Sequence, residues 1–399
     1  MPHPSTVTDL PLTGVRVLEL GQIAAGPFAA SLLADLGADV VKIERPDGGD
    51  GMRQWPPLRH AENPQNAYSE NFASVNRNKR SMALDLKSED DVTLLKSLAA
   101  QAHILIENYR PNVLPRLGLG YPDLKAVNPK LIYCSISGYG QTGPYASKGA
   151  FDVTVQGIAG MMSVTGEPGA PPVKCGVPIG DFCAGLYAGF SILAMLRNAE
   201  TTGVGAHIDC SMLGALLGIS ALQTSEYFGT GTAPKRLGSA HPRNAPYQAF
   251  KAADTYFVIA AGNDKLWHEV CAAVDKPELA NDPRFLTQSD RAKNQQALVA
   301  ILAPVFEGRV AADWLEEMDR RQVPCGPIND FTDILADPHV AHMGLVQPLD
   351  LPNGVTTKTV AFPVAISGMT LNAMTPPPDL GAHNKDVVAD WLGQAETGL

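Results

Sequence analysis

The 399-residue chain lacks most of the patterns by which a sequence declares a metal, a nucleotide or a membrane. Its six cysteines, Cys134, Cys175, Cys183, Cys210, Cys271 and Cys325, include no CxxC pair, which argues against both a disulfide framework and a zinc site. Nine histidines form no HExxH, no paired ligand spacing and no Ser-His-Asp grouping, so no metal is expected. Charged residues are only 18% of the chain and the net charge is −10, which makes nucleic acid an unexpected partner. No apolar run reaches the roughly 18 residues of a membrane span, and the opening MPHPSTVTDLPLTG has neither the basic region nor the apolar core of a signal peptide. A cytoplasmic protein without a membrane partner is therefore expected.

What is present is an ordinary globular composition, 45% hydrophobic, long enough for two or three domains. The first segment reads as strand (VRVLEL, 15–20), glycine turn, apolar helix (FAASLLADLG) and strand (DVVKIE, ending at Glu44). Further strands are expected at SMALDL, HILIEN and LIYCSISGY, alternating with helical patterns such as VTLLKSLAAQ. That alternation predicts an α/β fold with a Rossmann-like, doubly wound parallel sheet. Between residues 151 and 225 three interrupted apolar segments read as packed helices. Beyond them comes a loop rich in Gly, Pro and basic residues, then the strand TYFVIAA and more helices. We expect a large domain over 1–225, a smaller α+β domain over 226–325, and a segment 326–399 with strand patterns but little core of its own, which must pack on something else.

Several residues could carry chemistry. The turn 21–27, GQIAAGP, sits where a dinucleotide-binding protein keeps GxGxxG, and Glu44 lies near the position of a ribose-binding acid, but neither that pattern nor a Walker A loop is present. A tight strand-to-helix turn accounts for these glycines without a phosphate. Asp181 follows Gly180 and opens a long apolar helix. As an N-cap it would accept backbone N–H bonds and stay ionised; at the same position it could act as an anionic nucleophile beside oxyanion-stabilising N–H groups. Basic residues gather at Arg77, Lys79 and Arg80 and recur at Arg45, Lys87, Arg110 and Arg116. Several fall at expected strand ends, where open α/β sheets bind ligands, which suits a multiply phosphorylated molecule as well as it suits a solvated face.

Taken in order, the blocks LTGVRVLELGQIAAGPFAASLLADLGADVVKIERPDGGD, NRNKRSMALDLK, ENYRPNVLPRLGLGY, CSISGYGQTGP, IGDFCAGLYA and PPPDLGAHNKDVVADWLG resemble the class III CoA-transferases (CaiB/BaiF family) over nearly the whole chain. The resemblance implies that Asp181 is the nucleophile that carries CoA between carboxylic acids as an aspartyl-CoA thioester, and that CoA thioesters are substrates with no prosthetic group required. It places Arg45 and Arg116 near the CoA phosphates, residues 84–87 including Leu84 and Lys87 along the nucleotide, and Asn108, Tyr109 and Arg110 beside them, with Lys79 as a further contact. Ile23, Ala24 and Ala25 match residues that approach the thioester, although some members carry glutamine where this chain has Ala24. Gly262 and Asn263 match a glycine loop that can close over the reacting thioester, and the family architecture implies an interlocked-ring homodimer.

Two other readings share these features. Acyl-CoA racemases of the same fold show GHD where this chain reads GAFD, with Phe151 at the histidine's place, so a two-base racemase lacks one base. A non-catalytic CoA-binding protein would bind ligand without needing Asp181. Within the family, NRNKRS and RLGSAHPRNAPYQAF resemble transferases that use succinyl-CoA and a dicarboxylate such as glutarate. Arg77, His241 and Arg243 are then candidates to pair with the remote carboxylate of the acid.

Overall fold

Six short runs form one parallel sheet: β1 (Arg16–Leu20), β2 (Asp39–Glu44), β3 (Lys79–Ala83), β4 (Ile104–Glu107), β5 (Ile132–Ser137) and β6 (Ala206–Ser211). The computed structural model describes residues 10–61, 67–371 and 374–393. Strand order is β3-β2-β1-β4-β5-β6 with every pairing parallel, the doubly wound arrangement in which the order reverses between β1 and β4. Four of the five strands read from the sequence fall on its apolar runs. The fifth, β3, starts two residues before SMALDL, and β6 was not foreseen. AHIDCS alternates polar with apolar and lies at the sheet edge with His207 and Asp209 exposed, so it has no continuous apolar run to announce it.

Helices of the first part include α1 (Ala25–Asp35), α2 (Glu70–Asn76), α3 (Glu89–Ala99), α4 (Asp152–Ile158), α5 (Ile179–Thr202) and α6 (Met212–Ile219). One face of the sheet is covered by α1 and α5, whose Ala29, Leu33, Ala188 and Ile192 pack on Val17, Ile104 and Ile132. Burying such side chains contributes roughly 1.5–3 kcal/mol each for the larger ones. By length and composition α5 could cross a membrane, contrary to the reading that its segment is too interrupted. Its row Ala184, Ala188, Ile192, Leu196 and Ala199 is instead buried in this core at helical spacing.

The chain divides into two compact units. The smaller comprises Met162–Lys174 and Glu226–Asp337, so it takes a piece of chain before residue 225 and runs past residue 325, unlike the boundaries read from sequence. It holds an antiparallel sheet of β7 (Tyr247–Lys251), β8 (Tyr256–Ala260) and β9 (Cys325–Pro327), with α7 (Asp264–Ala273), α8 (Gln295–Phe306) and α9 (Ala311–Arg320). Phe250, Phe257, Trp267, Phe306 and Trp314 form its core.

From Pro338 the chain belongs to the large unit again. A hairpin of β10 (Val346–Asp350) and β11 (Thr356–Val360) leads to α10 (Asn384–Leu392). Leu349 and Leu351 pack with Met52, Tyr68 and Phe72. Val387 and Trp391 of α10 join Leu95 and Leu98 of α3 in covering the second face of the large sheet, over Leu18, Val41 and Leu105. Trp391 Nε1 donates to Asp39 at 2.7 Å and Ala83 N–H to Asn384 at 2.9 Å. A tail with little core of its own is thus fixed by packing on the core of the large unit.

Candidate active site

At the switch point between β1 and β4 the backbone of turn 21–25 is held by side chains on all sides. Asn108, just past the end of β4, makes two bonds to Gln22: its Oδ1 accepts the Gln22 N–H at 2.8 Å and its Nδ2 donates to the Gln22 carbonyl at 2.8 Å. Lys42 Nζ donates to the Gly21 carbonyl at 2.7 Å. Asp50 accepts the Ile23 N–H at 3.1 and 3.2 Å. Ile23 itself is left-handed at φ 65°, a conformation that costs a β-branched residue about 1–3 kcal/mol. Gly26 permits the close return of the chain, since a Cβ there would lie 3.1 Å from Gly21 Cα and 3.3 Å from Asn108 Cγ. The N–H groups of Ala24 and Ala25, at the start of α1, meet no acceptor among the described residues, which leaves two donors at the positive end of an eleven-residue helix.

Beneath the turn lies a fully buried ionic cluster. Glu19 accepts from Lys42 at 2.8 Å and Lys79 at 2.6 Å, and Lys42 also meets Asp50 at 3.0 Å. Burial opposes charge on Lys42, but the carboxylates of Glu19, Asp50 and Glu44 outweigh it and hold the ammonium above its ordinary range. Lys79 is pulled down to about 8 by burial and by Lys42, against Glu19. Lys79 also donates to Pro27 O and Asn76 Oδ1. Its ammonium is spent inside the protein, which corrects its expected role as a CoA contact. Glu44 likewise does not face a ribose. It accepts two bonds from Arg53, at 2.8 and 2.7 Å, and one from Ser81, and these partners outweigh burial to hold it down at about 2.

Asp181 lies in the first turn of α5, two residues inside the helix, with Pro178 rather than itself as the cap. Its carboxyl is pushed up to about 6 by burial and then by the charge of Asp152. That is the reverse of the ionised cap, one of the two readings open from the residue alone. Asp152 Oδ1 accepts the Gly180 N–H at 2.8 Å, and its Oδ2 accepts from the buried Gln156 at 2.6 Å. Gln156 Oε1 in turn accepts the Cys175 N–H at 2.9 Å, tying the segment that leads into α5 to α4. One turn beyond Asp181, Gly185 lets α5 press on α1: a Cβ would sit 2.7 Å from Phe28 and 3.1 Å from Ala25 O. Phe182 meets Phe28 edge-on at 4.8 Å. Helix contact therefore brings the first turn of α5 and the donor end of α1 to one corner.

The other residues expected at the site separate into three groups. Arg45, Leu84, Lys87, Asn108, Tyr109 and Arg110 follow the carboxyl ends of β2, β3 and β4, and Arg116 ends the short helix Val113–Arg116 after β4. Arg45, Lys87, Arg110 and Arg116 are exposed there, Tyr109 is half-buried, and Leu84 is buried with its N–H donated to Glu44 O at 2.8 Å. Arg77 is a correction: its guanidinium is buried against Asp35 and donates to Ser74 O at 2.7 Å, so it is not available to a substrate carboxylate. His241, Arg243 and Gly262 belong to the small unit. There His241 Nδ1 accepts the Arg243 N–H at 3.1 Å, Arg243 pairs with Glu226 at 3.3 Å, and Asn263 caps α7 directly after Gly262. Phe151, where a racemase would carry an imidazole, is 78% exposed and ends in a ring with no proton to exchange.

Sequence reasoning missed Glu19, Lys42, Asp50, Asp152 and Gln156. A signal existed for two of them: Glu19 and Lys42 interrupt apolar strands that are buried on both faces, where a charge must be paired.

Residues 12–384 match the description of CoA-transferase family III. The succinate–glutarate CoA-transferase of Agrobacterium fabrum is 38% identical over 381 residues, covering 95% of each chain. The human succinyl-CoA:glutarate CoA-transferase is 38% identical over 383 residues, covering 96% of this chain and 86% of that one. The crystal structure of a CAIB/BAIF family protein from Brucella suis superposes with a TM-score of 0.85 at 39% identity, covering 96% of this chain and 100% of the other.

Proposed function

Because the chain belongs to the class III CoA-transferases, we propose that it moves CoA from succinyl-CoA to a second, dicarboxylic acid through a thioester on Asp181. The observation that carries this reading is the corner where the half-buried Asp181 carboxyl and the unpaired N–H groups of Ala24 and Ala25 come together on packed helices. In the proposed sequence an Asp181 oxygen attacks the thioester carbonyl, and the electron pair of the C–S bond leaves with CoA as thiolate, giving a mixed anhydride. The thiolate attacks the Asp181 carbonyl, forms the aspartyl-CoA thioester and expels succinate. The acceptor carboxylate then attacks that thioester, the thiolate leaves again, and its return to the acceptor's carbonyl frees Asp181. No external proton is consumed, and the bond energy of the thioester is conserved.

Each tetrahedral intermediate places negative charge on a carbonyl oxygen, which two backbone donors at a helix start suit. Arg45, Lys87, Arg110 and Arg116 on the exposed rim suit the phosphates of CoA, with Leu84, Asn108 and Tyr109 shaping the groove. For the acid, the glutarate transferases among the relatives support a dicarboxylate. Self-association as interlocked rings is supported by the return of the chain to the large unit and by the exposed Leu186, Tyr187 and Phe190 of α5 and Leu217 and Ile219 of α6.

The test is to incubate the protein with succinyl-CoA and a panel of acids and to follow new acyl-CoA species by mass spectrometry. Transfer to dicarboxylates that exceeds transfer to their monocarboxylate analogues and vanishes in Asp181→Asn is the expected result. Transfer that survives Asp181→Asn would exclude the aspartyl relay, and equal rates with monocarboxylates would exclude recognition of a remote carboxylate.

A further inference from the structure

The buried ions beneath turn 21–25 have no place in the reaction just described, yet two of the turn's polar groups end on them. Lys42 holds the Gly21 carbonyl at 2.7 Å and Asp50 holds the Ile23 N–H at 3.1 and 3.2 Å, while Lys42 fixes Asp50 at 3.0 Å and Glu19 at 2.8 Å. Asp50 is itself fixed, since its N–H donates to Glu44 at 3.0 Å and its side chain accepts from Met52 N–H at 2.9 Å. The side chains of Lys42, Asp50 and Glu19 are wholly inaccessible to solvent, so water cannot substitute for any of these bonds.

The pattern of occupied groups has a direction. Gly21 O, Gln22 N–H, Gln22 O and Ile23 N–H are all taken by side chains, and Ala24 O accepts the Phe28 N–H at 2.8 Å. Of the N–H groups of Gln22 to Ala25, the two that meet no acceptor among the described residues are consecutive, Ala24 N–H and Ala25 N–H. Ile23 stands immediately before them at φ 65°. An isoleucine left to itself would return to negative φ, and the peptide between Ile23 and Ala24 would then turn, taking the Ala24 N–H with it. With α1 packed in the core downstream, that change also requires the Gln22–Ile23 peptide to move, and Asp50 opposes it by gripping the Ile23 N–H.

We propose that Asp50, locked by Lys42, is a positioning residue for CoA transfer: it keeps Ile23 left-handed and so aims the Ala24 and Ala25 N–H groups at the carbonyl oxygen of the reacting thioester. This rests on the reading of Asp181 as the nucleophile. Asp50 touches no substrate in this account. Its effect falls on kcat, because the aimed donors strengthen as charge develops on the oxygen, and it leaves the affinity for acyl-CoA in place.

The experiment is a cycle on residues 23 and 50, with succinyl-CoA and glutarate as substrates, reading kcat, KM for succinyl-CoA and the mass of the CoA adduct on the protein. Asp50→Ala is expected to lower kcat about a hundredfold, the usual loss for a misplaced oxyanion donor, with KM changed less than about threefold. Ile23→Gly tolerates positive φ without help, so adding it to Asp50→Ala is expected to recover about tenfold of the loss. Asp50→Asn keeps an oxygen for the Ile23 N–H and the volume of the site. It carries the same cycle if Asp50→Ala fails to fold, with a loss of about tenfold that Ile23→Gly again reduces. The inference is overturned if kcat stays within about threefold of wild type, if KM rises as much as kcat falls, or if Ile23→Gly restores nothing, as expected of a charge that only holds the fold together. Asp181→Asn in parallel separates the two claims. Transfer that survives it removes the nucleophile reading, whereas transfer lost in Asp181→Asn but kept in Asp50→Ala removes only the positioning role.

Discussion

Two sets of charged residues belong to the large sheet and the turns that follow its strands, and they differ in almost every physical respect. The inner set, Glu19, Lys42, Asp50 and Lys79, is sealed from solvent, mutually paired at 2.6–3.0 Å and bonded to the backbone of turn 21–25. The outer set, Arg45, Lys87, Arg110 and Arg116, is exposed, and Arg45 and Arg116 reach back only to nearby carbonyls at 3.0 and 2.9 Å. A buried charge without its partner is severely penalised, so the inner set is rigid and its geometry is fixed before any ligand arrives. An exposed guanidinium interacts through high dielectric and can reorient. The comparison separates geometry from affinity: the inner residues set where groups point, and in the proposed function the rim residues contribute attraction for an anionic ligand.

Asp181→Asn gives the widest separation between the two. Transfer is expected to fall at least about a thousandfold, measured by acyl-CoA exchange, while binding of CoA to the rim, read by calorimetry, stays intact. Lys42→Met breaks the inner set itself, leaving Glu19 and Asp50 buried without their shared cation. A loss of about 3–5 kcal/mol is expected in a denaturant titration; a loss under about 1 kcal/mol would show that the cluster is not the rigid element described. On the rim, Arg45→Ala and Arg116→Ala are expected to raise KM for acyl-CoA by roughly fivefold each, more steeply at low salt, with stability unchanged to about 0.5 kcal/mol.

The smallest expected effect concerns protons. The carboxyl of Asp181 is held up at about 6 by burial and Asp152, above the ordinary 3.8. The folded state therefore binds this proton more tightly than the unfolded chain between about pH 4 and 6. Its charge is a cost to stability that is absent below that window and complete above it. Asp181→Asn should consequently raise the melting temperature at pH 8 but not at pH 4. Attack requires the carboxylate, so kcat is expected to fall as pH drops through about 6. Asp152→Asn removes the second cause and should move that acid limb down by about half a pH unit; an unmoved limb would leave burial as the sole cause.

The sequence disclosed elements whose chemistry is local. DVVKIE, LIYCSIS and the segment ending at Trp391 carry apolar patterns that make strand or helix wherever they pack, and the long apolar helix that bears Asp181 was legible in the same way. It did not disclose β6, whose polar alternation reads like a loop, or Met162–Lys174, which lies far from the rest of the small unit along the chain. Nor could it show that Arg77 and Lys79 point inward, because the same letters in VNRNKRS serve equally on a solvated face.

What the sequence determined alone, then, was the doubly wound sheet and the family, since these follow from periodicity and from motifs contiguous along the chain. The tertiary structure decided which charges are buried and how turn 21–25 is aimed. Lys42 reaches Gly21 across 21 residues, Asn108 reaches Gln22 across 86, and Asp152 reaches Gly180 across 28. Burial and hydrogen bonding depend on neighbours in space, and packing α5 on α1 is what makes residues so far apart in sequence into one site.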